Sequence, residues 1–465
     1  MADSLRVLTP AQQRDIADAL AQWLPSRRWF AGKGHRISAV TLTEVSALPS
    51  DRAVADLVVG VQLDGDRWQT YQVPVSLYAK AQPSLEPIGQ LPSGTWLYDA
   101  VADPAAIGAL LGSVRRQPIV DPEATHGREP LAEAHPAPEL EAVDDPAGFR
   151  DLPARPLNVE QSNSSVALGE AALLKVFRLL VPGINPDVEV HAALGVARCP
   201  HVGRCLGWLN GGWREPADGS WVTGHLGMVQ ELLSPAVDGW RLALDRVAAG
   251  ESMAELCNDL GRATGAVHLD LRRVLPSRVL RADEVAGVAD RLHWRLDRAA
   301  SLVGEISPLA AALHSRIDAL ATHPRPIGVQ RVHGDYHLGQ VLLTDTGWKL
   351  LDFEGEPGAA ITSRVVPDHP LRDVAGMLRS FAYAAAQGGS NADPPVVAEW
   401  QSACEREFLA GYTRSGAADP VADAAILTAY LVDKAAYEAV YESRNRPDWL
   451  PIPMAALTSL ATGEA

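Results

Sequence analysis

Val332-His-Gly-Asp-Tyr-His-Leu-Gly-Gln340 and, after a short interval, Leu350-Leu-Asp-Phe-Glu-Gly-Glu356 decide the reading of this chain. Asp335 lies five residues before Gln340 and seventeen before Asp352. Between them, residues 341–344 and 348–351 flank Asp345-Thr346-Gly347, a hairpin signal. A hairpin returns the chain to its start, so the loop with Asp335 and the turn with Asp352 meet at one end. Taken singly, each aspartate is an ordinary solvated loop acid and His333 a packed histidine. Four polar residues at fixed offsets on a loop–hairpin–loop are not explained that way.

The spacing of His333, Asp335, Gln340 and Asp352 resembles that of protein kinases, H-R-D-x-x-x-x-N followed by D-F-G. The pattern expects Asp335 to accept a hydroxyl proton. Gln340 and Asp352 would supply oxygen ligands to Mg²⁺ bound with ATP. Gln340 stands where those enzymes carry asparagine, and Glu354 where they carry glycine. His333 and His337, four apart, sit in a loop with no third ligand near, which argues against zinc.

Upstream, Leu173-Leu-Lys-Val-Phe177 is an apolar strand with one charge. A buried lysine needs partners, and phosphate oxygens with an acid from the next helix would serve. Glu189 is the first choice of acid and Asp187 the second. In Glu160-Gln-Ser-Asn-Ser-Ser165, Gln161, Ser162, Asn163 and Ser164 form a weak phosphate-loop signal without glycine. Gln230, Glu231 and Leu232 close the strand-rich part, where a hinge would meet adenine. Downstream, Tyr430, Asp433 or Lys434, Tyr437 and Tyr441 share one helix face. With Glu438 and Arg444 they suit carbohydrate, though an amphipathic helix with core tyrosines fits equally. Asp373 and Arg379 belong to a helix expected to support the site.

Working outward, the chain reads as α+β: a β-rich start, then helices. Thr9 and Gln12 form a capping box ahead of Ile16, Leu20 and Trp23, and residues 53–63 and 67–79 flank Asp64-Gly65-Asp66 as a hairpin. Residues 118–156, rich in proline and acids, are expected to be a linker. A short helix opens at Asn185-Pro186-Asp187. Helices are expected near 236–248, 252–272, 282–303, 306–321, 370–388, 396–415 and 420–445. The plan is a cap at 1–112, a linker and nucleotide-binding lobe at 113–232, and a helical lobe at 233–465.

Across 465 residues the net charge is −16, which argues against a nucleic-acid or anionic-membrane partner. Four scattered cysteines make no disulfide framework. With no signal-like start and no long apolar run, the expectation is a cytoplasmic protein.

With these residues quoted, the chain resembles the maltokinases, actinobacterial enzymes distantly related to aminoglycoside phosphotransferases. The likeness covers nearly all of it except 118–156 and 385–395. It includes Trp23-Leu-Pro with Arg28-Trp-Phe-Ala-Gly32, Pro182-Gly-Ile-Asn-Pro-Asp187, Pro370-Leu-Arg-Asp-Val-Ala-Gly376, and Asp433-Lys with Tyr437-Glu-Ala-Val-Tyr-Glu442. The resemblance implies a bilobal protein-kinase-like fold with an N-terminal cap, usually monomeric. It implies Mg²⁺- and ATP-dependent phosphorylation of maltose at its anomeric hydroxyl, on a route from trehalose to glycogen. By position, Asp335 would be the base, Gln340 and Asp352 metal ligands, and Lys175 the phosphate contact. His337, Lys434, Tyr437, Glu438 and Tyr441 would line the sugar pocket. A kinase for glucosamine or an aminoglycoside is the alternative, and a pseudokinase scaffold a third reading.

Overall fold

Thr9 opens helix α1 (Pro10–Trp23) as expected: its hydroxyl accepts from the Gln12 N–H while the Gln12 side chain accepts from the Thr9 N–H. The computed structural model describes residues 9–48, 50–112, 133–135, 149, 152–157, 163–356, 364–390 and 392–463. They fall into two compact units, Met1–Gly195 with Arg204–Leu232, and Val196–Gly203 with Leu233–Ala465.

In the first unit, β1 (Ile37–Ala47), β2 (Ala53–Leu63), β3 (Arg67–Tyr78), β4 (Pro87–Gln90) and β5 (Trp96–Asp99) form an antiparallel sheet in the order β1-β2-β3-β5-β4. The expected hairpin joins β2 to β3, with Leu63 opposite Arg67. Asp64 and Gly65 turn it with φ of 52° and 97°, the left-handed region that these residues tolerate best. Strand β2 is buried almost throughout rather than on alternate residues. It is covered on both faces: Val59 and Val61 pack with Leu20 and Trp23 of α1, while Val58 joins the core of a second sheet.

After α2 (Pro104–Gly112), that second sheet collects β6 (Glu133–His135), β7 (Ala154–Leu157), β8 (Ser164–Leu168), β9 (Ala172–Val176), β11 (Cys205–Arg214) and β12 (Trp221–Glu231) in the order β6-β11-β12-β9-β8-β7. Between them, β10 (Leu179–Leu180) pairs with β3 of the first sheet, and α3 (Pro186–Ala197) follows it. Most of the stretch 118–156, expected as linker, lies outside the described residues. Within it, β6 and β7 form the two edges of the second sheet.

The second unit begins with β13 (Ala236–Asp238) and α4 (Gly239–Ala248). A helix was expected from residue 236. It starts later because Asp238 caps it, accepting from the Arg241 N–H at 2.8 Å, while β13 pairs with β16 (Val341–Thr344). Then come α5 (Ala254–Val274), β14 (Arg278–Val279), α6 (Ala282–Leu302), α7 (Ala310–Ala321) and β15 (Gly328–Val329). After β16 and β17 (Gly347–Leu350), α8 (Leu371–Gly388), α9 (Pro394–Ser415), α10 (Ala424–Asn445) and α11 (Pro451–Thr462) finish the unit. Helices α5 and α9 touch backbone to backbone, since a Cβ on Gly261 would stand 2.1 Å from the Phe408 carbonyl oxygen. Both α2 and α11 went unread in the sequence. All four cysteines are free and buried. No helix among the described residues is long and apolar enough to cross a membrane.

One acid on strand β2 gives a stability prediction. Burial pushes the Asp56 carboxyl up to about 6, against the bond donated by Gln72 and the nearby Arg178 charge. The unfolded chain titrates near the ordinary 3.8, so this group favours the fold in acid and loses that contribution as pH rises through 6. Asp56→Asn removes the charge penalty. It is expected to leave urea stability unchanged near about pH 4 and to raise it by about 1–3 kcal/mol at about pH 8.

Candidate active site

The loop 332–340 is held by its own histidine. The buried His333 accepts from the Asp335 N–H on Nδ1 at 3.3 Å, so its Nε2 donates to the Leu351 carbonyl at 2.7 Å. Phe353 packs on the same ring, centroids 4.8 Å apart. The Leu351 N–H donates to the Gln340 carbonyl at 2.9 Å. Gly334, at φ +85°, brings its backbone so near Gly355 that a Cβ would lie 3.1 Å from the Gly355 Cα. Hairpin β16–β17 thus ties the segments with Asp335, Gln340 and Asp352 into one cluster, as the sequence spacing predicts. Asp352 itself has φ 54°, a conformation costing a non-glycine residue on the order of 1 kcal/mol.

Asp373, in the first turn of α8, supports the loop from below. Its carboxylate accepts from the His333 N–H at 2.7 Å and the Gly334 N–H at 2.9 Å, and meets His268 Nε2 at 3.0 Å. Burial alone would push this carboxyl up, but the His268 ring and these bonds hold it below the usual range. His268 also contacts the Tyr412 hydroxyl at 2.9 Å, so α5, α8 and α9 lock together under the loop.

On the α10 side, Lys434 Nζ lies 3.6 Å from Asp335 Oδ1, and His337 Nε2 lies 3.8 Å from Asp335 Oδ2. His337 accepts from the Gly339 N–H on Nδ1, and burial lowers its pKa. Tyr437 and Tyr441 are the exposed aromatics of this helix, at 36% and 45%. Lys434 Nζ stands 5.7 Å from the Tyr437 ring centroid. Tyr430, expected on the same face, is instead buried and donates its hydroxyl to Asp368. Four acids here have cations: Glu438 with Arg379 at 2.8 Å, Glu442 with Arg446 at 2.8 Å, Asp433 with Arg295 at 2.7 Å, and Glu356 with Arg372 at 2.9 Å and Arg295 at 3.3 Å. Arg295 and Arg372 were missed in the sequence. Arg295 lies on α6, far from its partners along the chain, and leaves no local signal.

In the first unit, Lys175 is 2% exposed and Asp187 0%, with Nζ and Oδ2 2.5 Å apart. This corrects the expected order of acids. Asp187 and Glu189 are two apart on α3 and so face different sides. The buried side goes to Asp187, which also meets His191 at 3.1 Å, and Glu189 stays half-buried. The strong cation beside it holds the Asp187 carboxyl down despite burial. Asn163 is buried ahead of β8, and Ser164 opens that strand with its hydroxyl accepting from Arg178 Nε at 2.7 Å. Gln161 and Ser162 lie outside the described residues. At the end of β12, Gln230 is buried, Glu231 accepts from the Arg204 N–H at 3.2 Å, and the Leu232 N–H donates to Ala171 at 3.2 Å.

Residues 23–103 match the maltokinase N-terminal cap domain, and residues 221–414 match the phosphotransferase enzyme family. A glucosamine kinase of Streptacidiphilus jiangxiensis is 30% identical over 377 residues, covering 75% of this chain and 83% of that protein. Another, from Mycolicibacterium smegmatis, is 30% identical over 66% of this chain and 79% of its own. A solved glucosamine kinase in complex with glucosamine, ADP and inorganic phosphate superposes with a TM-score of 0.66 at 23% identity, covering 95% of this chain and 98% of that one. That likeness shows the fold, an α+β kinase-like one with a β-sheet N-terminal region and a helical C-terminal part. The chain therefore belongs to the phosphotransferase enzyme family, a kinase-type enzyme that carries a maltokinase-type N-terminal cap.

Proposed function

We propose that this chain transfers the γ-phosphoryl group of ATP to a neutral sugar, maltose, at its anomeric hydroxyl. Asp335 accepts the hydroxyl proton, the sugar oxygen bonds to phosphorus, and the bond to the bridging oxygen breaks to release ADP. His337, Lys434, Tyr437, Glu438 and Tyr441 orient the acceptor, while Lys175, drawn from its Asp187 pair, binds phosphate. Gln340 and Asp352 offer an amide and a carboxylate oxygen, hard donors that fit Mg²⁺ with phosphate completing the shell. When bound, that ion neutralises phosphate charge. The strained backbone at Asp352 is a feature common at such functional turns.

The observation that carries the choice of acceptor is the pairing of acids beside Tyr437 and Tyr441. Glu356, Asp433, Glu438 and Glu442 each already face an arginine, and Asp335 faces Lys434. A substrate ammonium would have to compete with those cations, whereas a neutral disaccharide stacks a flat ring on the exposed tyrosines. A second reading, glucosamine as acceptor, is favoured by the names of the 30%-identical relatives. ADP release with maltose, glucosamine and an aminoglycoside separates the two. We expect kcat/KM for maltose to lead by about tenfold or more, the scale of one desolvated charge mismatch. A lead for glucosamine would replace the acceptor and leave the phosphoryl transfer standing.

A further inference from the structure

The strand that carries Lys175 does not end in its own sheet. Just past β9 the chain passes through Arg178 and pairs with β3 as β10, the Arg178 carbonyl accepting from the Gln72 N–H at 2.8 Å. The Arg178 side chain is 1% exposed and is met on three sides, although its Nη1 is buried without a hydrogen-bond partner among the described residues. Its Nε donates to Ser164 Oγ at 2.7 Å, its Nη2 meets Asp99 Oδ2 at 2.5 Å, and its guanidinium lies 4.7 Å from the Trp29 ring centroid. Asp99 ends β5, and Trp29 belongs to the tryptophan stretch after α1, packed on Tyr71 at 6.0 Å. One buried cation therefore joins the start of β8 to two residues of the N-terminal cap. A guanidinium out of water needs its carboxylate; without it, the charge is uncompensated and its bond to Ser164 loses its anchor.

We propose that Arg178 is a positioning residue for nucleotide, and that the cap, through Asp99 and Trp29, sets how firmly the phosphates are held without touching them. This rests on the reading that residues 163–165 and Lys175 meet those phosphates. The cap is then a part of the nucleotide site rather than an appended module. The two family matches, residues 23–103 and 221–414, leave Arg178 and Ser164 in neither, and the Arg178 contacts join that intervening stretch to the cap.

The test uses the full chain with Asp99→Asn, Trp29→Leu and Arg178→Lys, each checked by thermal melting. Titration with a fluorescent ADP analogue gives the nucleotide Kd, and steady-state rates give KM for ATP and acceptor separately. The expected result is a rise of about tenfold in nucleotide Kd and ATP KM for Asp99→Asn, the scale of one charge-assisted bond. Acceptor KM should move by less than about twofold. Arg178→Lys, which keeps the charge but not the fork, should fall between wild type and Asp99→Asn. A folded Asp99→Asn with unchanged nucleotide Kd, or with both KM values rising together, overturns the proposal. Asn163→Ala tells the two layers apart. If it weakens nucleotide binding while Asp99→Asn does not, the cap linkage is wrong and the phosphate reading survives; if neither variant changes it, both fail.

Discussion

Asp335→Asn is expected to lower kcat by about 10²–10⁴-fold, the usual worth of a positioned general base. The amide keeps the size and shape of the carboxylate, and the backbone N–H of residue 335 still donates to His333. The loop therefore stays in place. Nucleotide binding should persist, because the contacts assigned to ATP lie elsewhere, on Lys175, Gln340 and Asp352. Lys434 loses the negative partner it holds at 3.6 Å, so acceptor KM is expected to shift as well. Single-turnover rates with a nucleotide titration check both parts. Wild-type-like turnover would remove Asp335 from the chemistry.

Asp373→Asn is expected to destabilise the second unit by about 2–4 kcal/mol, as losses from buried charged networks do. The carboxylate accepts from two loop N–H groups and meets His268, and it is 1% exposed. An amide nitrogen in place of one oxygen sets a donor against a donor, and the loop must move. Since the folded carboxyl titrates below the ordinary 3.8, its contribution is present at neutral pH and fades as pH falls through the folded value. The gap between wild type and variant in urea unfolding should therefore narrow in strong acid. Activity should fall with stability even though Asp373 touches no substrate. A variant as stable as wild type at neutral pH would show that the loop is held by other means.

Short-range chemistry was legible in the sequence, and long-range partnership was not. The hairpin between Gln340 and Asp352 could be read because its turn residues and strand lengths are local, but its turn is one residue shorter than expected, with Gly347 in the strand opposite Thr344. The buried lysine was legible from one charge in an apolar strand, but its acid was taken one face too far along α3, Glu189 for Asp187. Apolar periodicity marks α10 as a helix without saying which tyrosine faces inward; Asp368, distant in sequence, claims Tyr430. Helices α2 and α11 carried a signal that went unread, proline in the first turn, with Asp103 accepting from the Ala105 N–H at 3.1 Å ahead of α2. Arg178 has no sequence signal of its own; only the three-dimensional approach of Ser164, Asp99 and Trp29 shows what it holds.

The most direct measurement is phosphorus–proton correlated NMR of the product formed by the purified chain from ATP and maltose. The account predicts one new phosphate ester, coupled to the anomeric proton of the reducing glucose and absent with Asp335→Asn. No acceptor-dependent ester, or one attached at another carbon, would contradict it.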